Sequence, residues 1–196
     1  MSTPAITTYA KDLTGWQRWQ VDYRYGALYM FPPPDVGASI NALRAQYDPK
    51  SQAFCDAHIS LTVPFSGPVT PSNWAALQAR LKRACFDVTY GPVHRWPGGV
   101  GVVLLVEPAD TIRQMIDTLE GADGLKESPP RRPDFTPHMT IAEFVSADES
   151  AALFEVLSAT VSGGRFRCTR LSYAVPDEDF HFTERACLHL TDGSTG

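Results

Sequence analysis

Two short segments hold the residues best suited to chemistry. His58-Ile59-Ser60-Leu61 and His138-Met139-Thr140-Ile141 both read imidazole, apolar, hydroxyl, apolar. An imidazole titrates near neutral pH and so can take or give a proton there. A hydroxyl can donate a hydrogen bond to an anionic oxygen. Two imidazoles and two hydroxyls meeting in one groove would supply a base, an acid and two donors to non-bridging phosphate oxygens, which suits phosphodiester cleavage. The His-x-Ser and His-x-Thr pairs bring no carboxylate and no second imidazole at ligand spacing. No metal and no organic cofactor are therefore expected.

Strands must position these groups. Side chains along a strand alternate between faces, so His58 and Ser60 share one face while Ile59 and Leu61 share the other. The same holds for His138 and Thr140 against Met139 and Ile141. The apolar pair can bury under helices, whereas the polar pair needs a cleft to escape the cost of unpaired burial. Around them the pattern predicts strands over 26–31, 58–65, 86–93, 100–106, 137–145, 165–175 and 183–190. Helices are predicted over 36–47 after Asp35, from Thr70 or Ser72 to Cys85, from Asp110 to Glu120, and over 147–160. Pro49 is read as lying beyond a helix end, and Pro97-Gly98-Gly99 as a hairpin turn. Alternating elements with hairpin-like pairs favour α/β or α+β sandwich packing, with helices covering the outer face of a mixed or antiparallel sheet. Residues 1–25, with Trp16, Trp19, Tyr23 and Tyr25, read as an extension packed on the body. Residues 26–192 read as a single domain of two pseudo-symmetric halves.

The segments HISLTVPF and PHMTIAEF resemble the two motifs of the two-histidine (2H) phosphoesterase superfamily, and within it the 2'-5' RNA ligase-like and cyclic phosphodiesterase group. The order of elements follows that family over about residues 26–190, but only the two motifs are specific to it. The resemblance implies an α+β fold, a bilobal two-half sandwich of mixed or antiparallel sheets with outer helices and a central groove, acting on 2',3'-cyclic phosphates or 2'-5' linkages in RNA ends or small nucleotides. It assigns His58 and His138 to acid and base catalysis, with His138 as base and His58 as acid in opening a cyclic phosphate to a 2'-phosphate. It gives Ser60 and Thr140 the phosphate. Ligase-like members often carry a basic residue shortly after the second hydroxyl; this chain has Ala142-Glu143. The alternative is a non-catalytic domain that binds nucleotides or RNA ends in the same groove.

Composition narrows the partners. The net charge is -5 and the pI about 5.5, which argues against DNA or long RNA and for a small nucleotide or RNA terminus. Arg131 and Arg132 could reach a second phosphate or lie in an exposed loop. The runs around Arg80 and Arg165–Arg170 read as solvated surface. Phe65 and Trp96, with Tyr29 and Tyr90, could stack on a base, and each singly also reads as packing. His94, His181 and His189 lack the motif context. Four cysteines without a Cys-x-x-Cys pair, no signal segment and no apolar run of about 18 residues suggest a cytoplasmic monomer with free thiols and no membrane contact.

Overall fold

Each motif strand has to expose one face and bury the other, and the architecture provides two sheet edges for that. The computed structural model describes residues 8–96, 100–122, 125 and 135–191. The chain runs α1 (Arg18–Val21), β1 (Ala27–Met30), α2 (Pro34–Tyr47), α3 (Pro49–Phe54), β2 (Ile59–Ser60), α4 (Pro71–Arg80), β3 (Phe86–Arg95), β4 (Val102–Glu107), α5 (Ala109–Glu120), β5 (His138–Ala142), α6 (Ala147–Thr160), β6 (Gly164–Cys168), β7 (Arg170–Pro176) and β8 (Phe182–His189). Two four-stranded sheets form, in the orders β2-β1-β7-β8 and β5-β4-β3-β6. Every strand pairing within them is antiparallel, so of the two sheet types expected the antiparallel one is found. The fold is the α+β arrangement expected.

The motif strands are the edges of their sheets, β2 of the first and β5 of the second, and they lie against each other. One core joins the sheets: Leu28, Met30 and Ile59 from the first, Leu104, Met139 and Ile141 from the second. Ile40 of α2, Trp74 and Leu77 of α4, Ile112, Met115 and Leu119 of α5 and Leu157 of α6 close it. A second cluster covers the other face of the first sheet, where Tyr29, Ala174, Phe180 and Phe182 meet Trp16 and Tyr23. Trp16 Nε1 also donates to the Glu178 carbonyl at 2.8 Å.

Local chemistry explains most boundaries. Ser146 and Glu149 cap α6 reciprocally, and Thr70 and Asn73 do the same for α4. Several expectations need correction. Pro33 and Pro108, not Asp35 and Asp110, stand at the caps of α2 and α5; both acids lie in the first turn, at the positive end of the helix. α4 stops at Arg80. Pro49 opens α3 instead of trailing α2, because proline fits a first helical position and Asp48 caps that helix by accepting from Ser51 N. The strand expected over 58–65 narrows to Ile59–Ser60, although Leu61 N and Phe65 N still donate to the carbonyls of Leu28 and Gly26. The strand expected over 165–175 breaks at Thr169. β6 pairs with β3 in the second sheet and β7 with β1 and β8 in the first. The turn expected at 97–99 lies outside the described residues.

One residue ties α3 to the end of β5. Asp48 is 2% exposed; one carboxylate oxygen caps α3, and the other accepts from Glu143 N at 2.7 Å and Phe144 N at 2.9 Å. Asp48→Ala removes all three bonds, and the expected loss is about 2–4 kcal/mol of unfolding free energy in a urea titration. A loss under about 1 kcal/mol would show that water replaces the carboxylate.

Candidate functional site

The strand parity expected for the motifs is present. Along β5 His138 and Thr140 are half-buried while Met139 and Ile141 are buried; on the first motif His58 and Ser60 are half-buried while Ile59 and Leu61 are buried. The imidazoles are held alike. His58 Nδ1 lies 2.7 Å from the Asp56 carbonyl, and His138 Nδ1 lies 2.7 Å from the Thr136 carbonyl, in each case two residues back. A carbonyl only accepts, so Nδ1 carries the proton in both rings and Nε2 keeps the lone pair. Aromatic rings hold each imidazole in place. Tyr29 and Phe31 have centroids 4.6 and 6.0 Å from His58; Trp96 and Phe135 have centroids 4.5 and 5.8 Å from His138. Among the described residues neither the Ser60 nor the Thr140 hydroxyl has a hydrogen-bond partner, which leaves both for a ligand.

A residue that pattern reading passed over ties the second motif to the segment that leads into the first. Arg44 of α2 is 2% exposed. Its Nη1 donates to the Thr140 carbonyl at 2.6 Å. Its Nη2 donates to the Ser51 and Cys55 carbonyls and to the Ser51 hydroxyl, and Nε donates to Gln52. The Ser51 hydroxyl in turn donates to Glu143 Oε1 at 3.0 Å. Glu143, the departure from the basic residue common in the family, therefore turns toward α3. Burial raises its carboxyl above the ordinary value, with the Ser51 hydrogen bond and Arg44 pulling the other way.

Electrostatics follow from this packing. Burial pushes His58 down to about 4, against the pull of the Asp56 carbonyl, and charge on Arg44 or His138 pushes the same way. His58 is therefore a neutral imidazole at pH 7 in the ligand-free protein.

The remaining candidates separate. Trp96 stands against His138. Phe65 does not belong to the site: it is 1% exposed and packs edge-on against Tyr173 in the core, where apolar burial outweighs any exposed stacking role. Tyr29 is 3% exposed and supports His58 rather than presenting a free face. Tyr90 packs on the core beside Phe166. Arg131 and Arg132 lie outside the described residues. His94 is exposed on β3, and His181 Nδ1 is bound to the Ala53 carbonyl. Among the described residues no three His, Cys, Asp or Glu side chains gather as a metal site, and no helix is long and apolar enough to cross a membrane. Cys55, Cys85, Cys168 and Cys187 are free thiols.

The profile of the 2'-5' RNA ligase superfamily matches residues 32–179. No curated protein is significantly similar in sequence. Among solved structures, E. coli LigT complexed with 3'-AMP matches with a TM-score of 0.57 at 17% identity, over 85% of this chain and 97% of that one. LigT complexed with NADP+ matches with 0.57 at 20% identity over the same shares. TT0787 of Thermus thermophilus matches with 0.57 at 14% identity, over 86% and 98%. At such identities the likeness is one of fold.

Arg44→Met strips donors from three carbonyls and a hydroxyl. Unfolding free energy should fall by about 3 kcal/mol or more in guanidinium denaturation, with Arg44→Lys recovering part of it through its three donors. Full stability in the methionine variant would mean that the buried acceptors need no partner.

Proposed function

Because the chain belongs to the 2'-5' RNA ligase superfamily, we propose that it is a metal-independent two-histidine phosphodiesterase acting on 2',3'-cyclic phosphates or 2'-5' linkages of RNA ends or small nucleotides. The observation that carries this reading is the matched anchoring of the two motifs. Both imidazoles are fixed through Nδ1 to the carbonyl two residues back, on adjoining edge strands, each with an unengaged hydroxyl two residues ahead. E. coli LigT is seen complexed with 3'-AMP and with phosphate, which supports a nucleotide-sized ligand here. The charge of -5 supports small substrates over long RNA. Free thiols favour a cytoplasmic setting, and the proposal is for a monomer with no DNA or membrane partner.

The roles follow from protonation. In opening a 2',3'-cyclic phosphate, water attacks phosphorus, the bond to the 3'-oxygen breaks, and a 2'-phosphate remains. The base takes the proton from water, and the acid gives one to the 3'-oxygen. A neutral His58 already has a free Nε2 lone pair, so we assign His58 as base and His138 as acid. This reverses the assignment that the family resemblance implies. Ser60 and Thr140 donate to the non-bridging oxygens.

His58→Ala or His138→Ala should each lower kcat for a 2',3'-cyclic nucleotide by roughly 10²–10⁴. The double variant should lose far less than the product of the two, since the pair acts as a unit. Turnover should continue in chelator; loss reversed by a divalent ion would overturn the metal-independent reading. The pH profile tests the roles. With His58 as base, kcat/KM falls as pH drops through about 4; with His58 as acid it falls as pH rises through that value.

A further inference from the structure

A cleft of about 630 Å³ opens between the start of α2, the segment that leads into His58 and the crossing from β6 to β7. Asp56 and Ala57, the two residues before His58, form part of its wall together with Phe31. Phe182 continues that wall, its ring 5.7 Å from the Tyr29 ring that supports His58. The crossing from β6 to β7 closes the cleft with Arg167 and Arg170. The volume suits a nucleotide rather than a bare phosphate.

Both guanidiniums can be recruited. Arg167 reaches Asp87 at 3.3 Å with both side chains more than half exposed, and Arg170 reaches Glu184 through Nη1 alone at 3.0 Å. Exposed pairs of this kind contribute little and reorganise readily. Both acids of the wall also hold neutral donors. Asp56 Oδ1 accepts from Asn41 and Gln52, and Glu184 Oε2 accepts from the Ser172 hydroxyl, a bond that does not involve Arg170. α2 also begins in this wall, at Pro34, without a side-chain cap and with Asp35 in its first turn. The Arg165–Arg170 run, which reads in sequence as plain solvated surface, thus contributes two side chains to a concave wall next to the catalytic candidates.

We propose that this cleft is a subsite for a second phosphate: it takes the nucleoside against Phe31 and Phe182 and binds another phosphate of the same substrate through Arg167 and Arg170. The preferred substrates are then nucleotides or RNA ends that carry a phosphate besides the reacting one. This rests on the phosphodiesterase reading of the two motifs.

The test compares adenosine 2',3'-cyclic phosphate with its 5'-phosphorylated form. Wild type should favour the 5'-phosphorylated substrate by about tenfold in kcat/KM, as a charge-assisted contact of this kind supplies. In Arg167→Ala/Arg170→Ala the ratio should fall to about one, while Arg113→Ala, an exposed arginine on α5, keeps it. A ratio near one in wild type, or an undiminished ratio in the double variant, overturns the subsite. If wild type cleaves neither substrate, the phosphodiesterase reading fails by itself. Calorimetry with adenosine 2',5'-bisphosphate against 2'-AMP then reads the cleft directly. Tighter binding of the bisphosphate that is lost in the double variant upholds the subsite, and equal binding overturns it.

Discussion

A buried guanidinium holds the second motif strand against the segment that leads into the first. β2 and β5 are edges of different sheets, and no ladder of hydrogen bonds joins them. An edge strand leaves its outward carbonyls unpaired, which is costly where water is excluded. Arg44 supplies the missing donors on the Thr140 carbonyl and, through Ser51 and Cys55, on the segment that leads into His58. Asp48, one helical turn on, does the complementary work by accepting from the backbone beyond β5. A guanidinium suits this place because it offers five donors in a rigid plane and stays charged at any working pH. Its burial is tolerable because every direction in which it points ends on an oxygen.

The same charge affects the chemistry. A cation beside His58 disfavours a second cation there, in the same direction as burial. The device that aligns the motifs therefore also keeps the His58 imidazole neutral. Two histidines with matching local anchors can in this way take opposite proton-transfer roles.

The legible part of this molecule was the part governed by short periods. Alternation in His58–Leu61 and His138–Ile141 gave the face of each side chain, and Thr70 announced its helix through capping. Two misses still had a signal. Val36, Ile40, Arg44 and Asp48 recur at helical spacing, so a charged pair continued an apolar stripe and had to be buried with partners. In the last third, Phe166 and Cys168 are buried between exposed neighbours, whereas residues 171–176 are buried without a break. The pattern changes at Thr169, where the chain leaves one sheet for the other. Phe65 is a third: it shares the parity of Ile59 and Leu61, so alternation already set it on the buried face, where it meets Tyr173. The concave wall formed by Arg167 and Arg170 was hidden, since it depends on α2 meeting the sheet crossing.

An acidic chain can nonetheless receive a phosphate, provided its negative charge is committed elsewhere. Around the motifs the carboxylates are each turned onto a donor: Asp48 onto backbone N–H groups, Asp56 onto Asn41 and Gln52, and Glu143 onto the Ser51 hydroxyl beside Arg44. A carboxylate satisfied in this way is fixed in direction, and its field is partly offset by the dipoles it accepts from. Among the described residues, the groups on the site face without a partner are the opposite kind, the Ser60 and Thr140 hydroxyls, which can donate. Charges farther off on the surface are screened over about 8–10 Å at physiological ionic strength, so the net charge of the chain weighs little at the groove itself. It weighs more on a long polyanion, whose many phosphates would have to lie along that acidic surface. The same balance that admits one or two phosphates thus works against an extended nucleic acid.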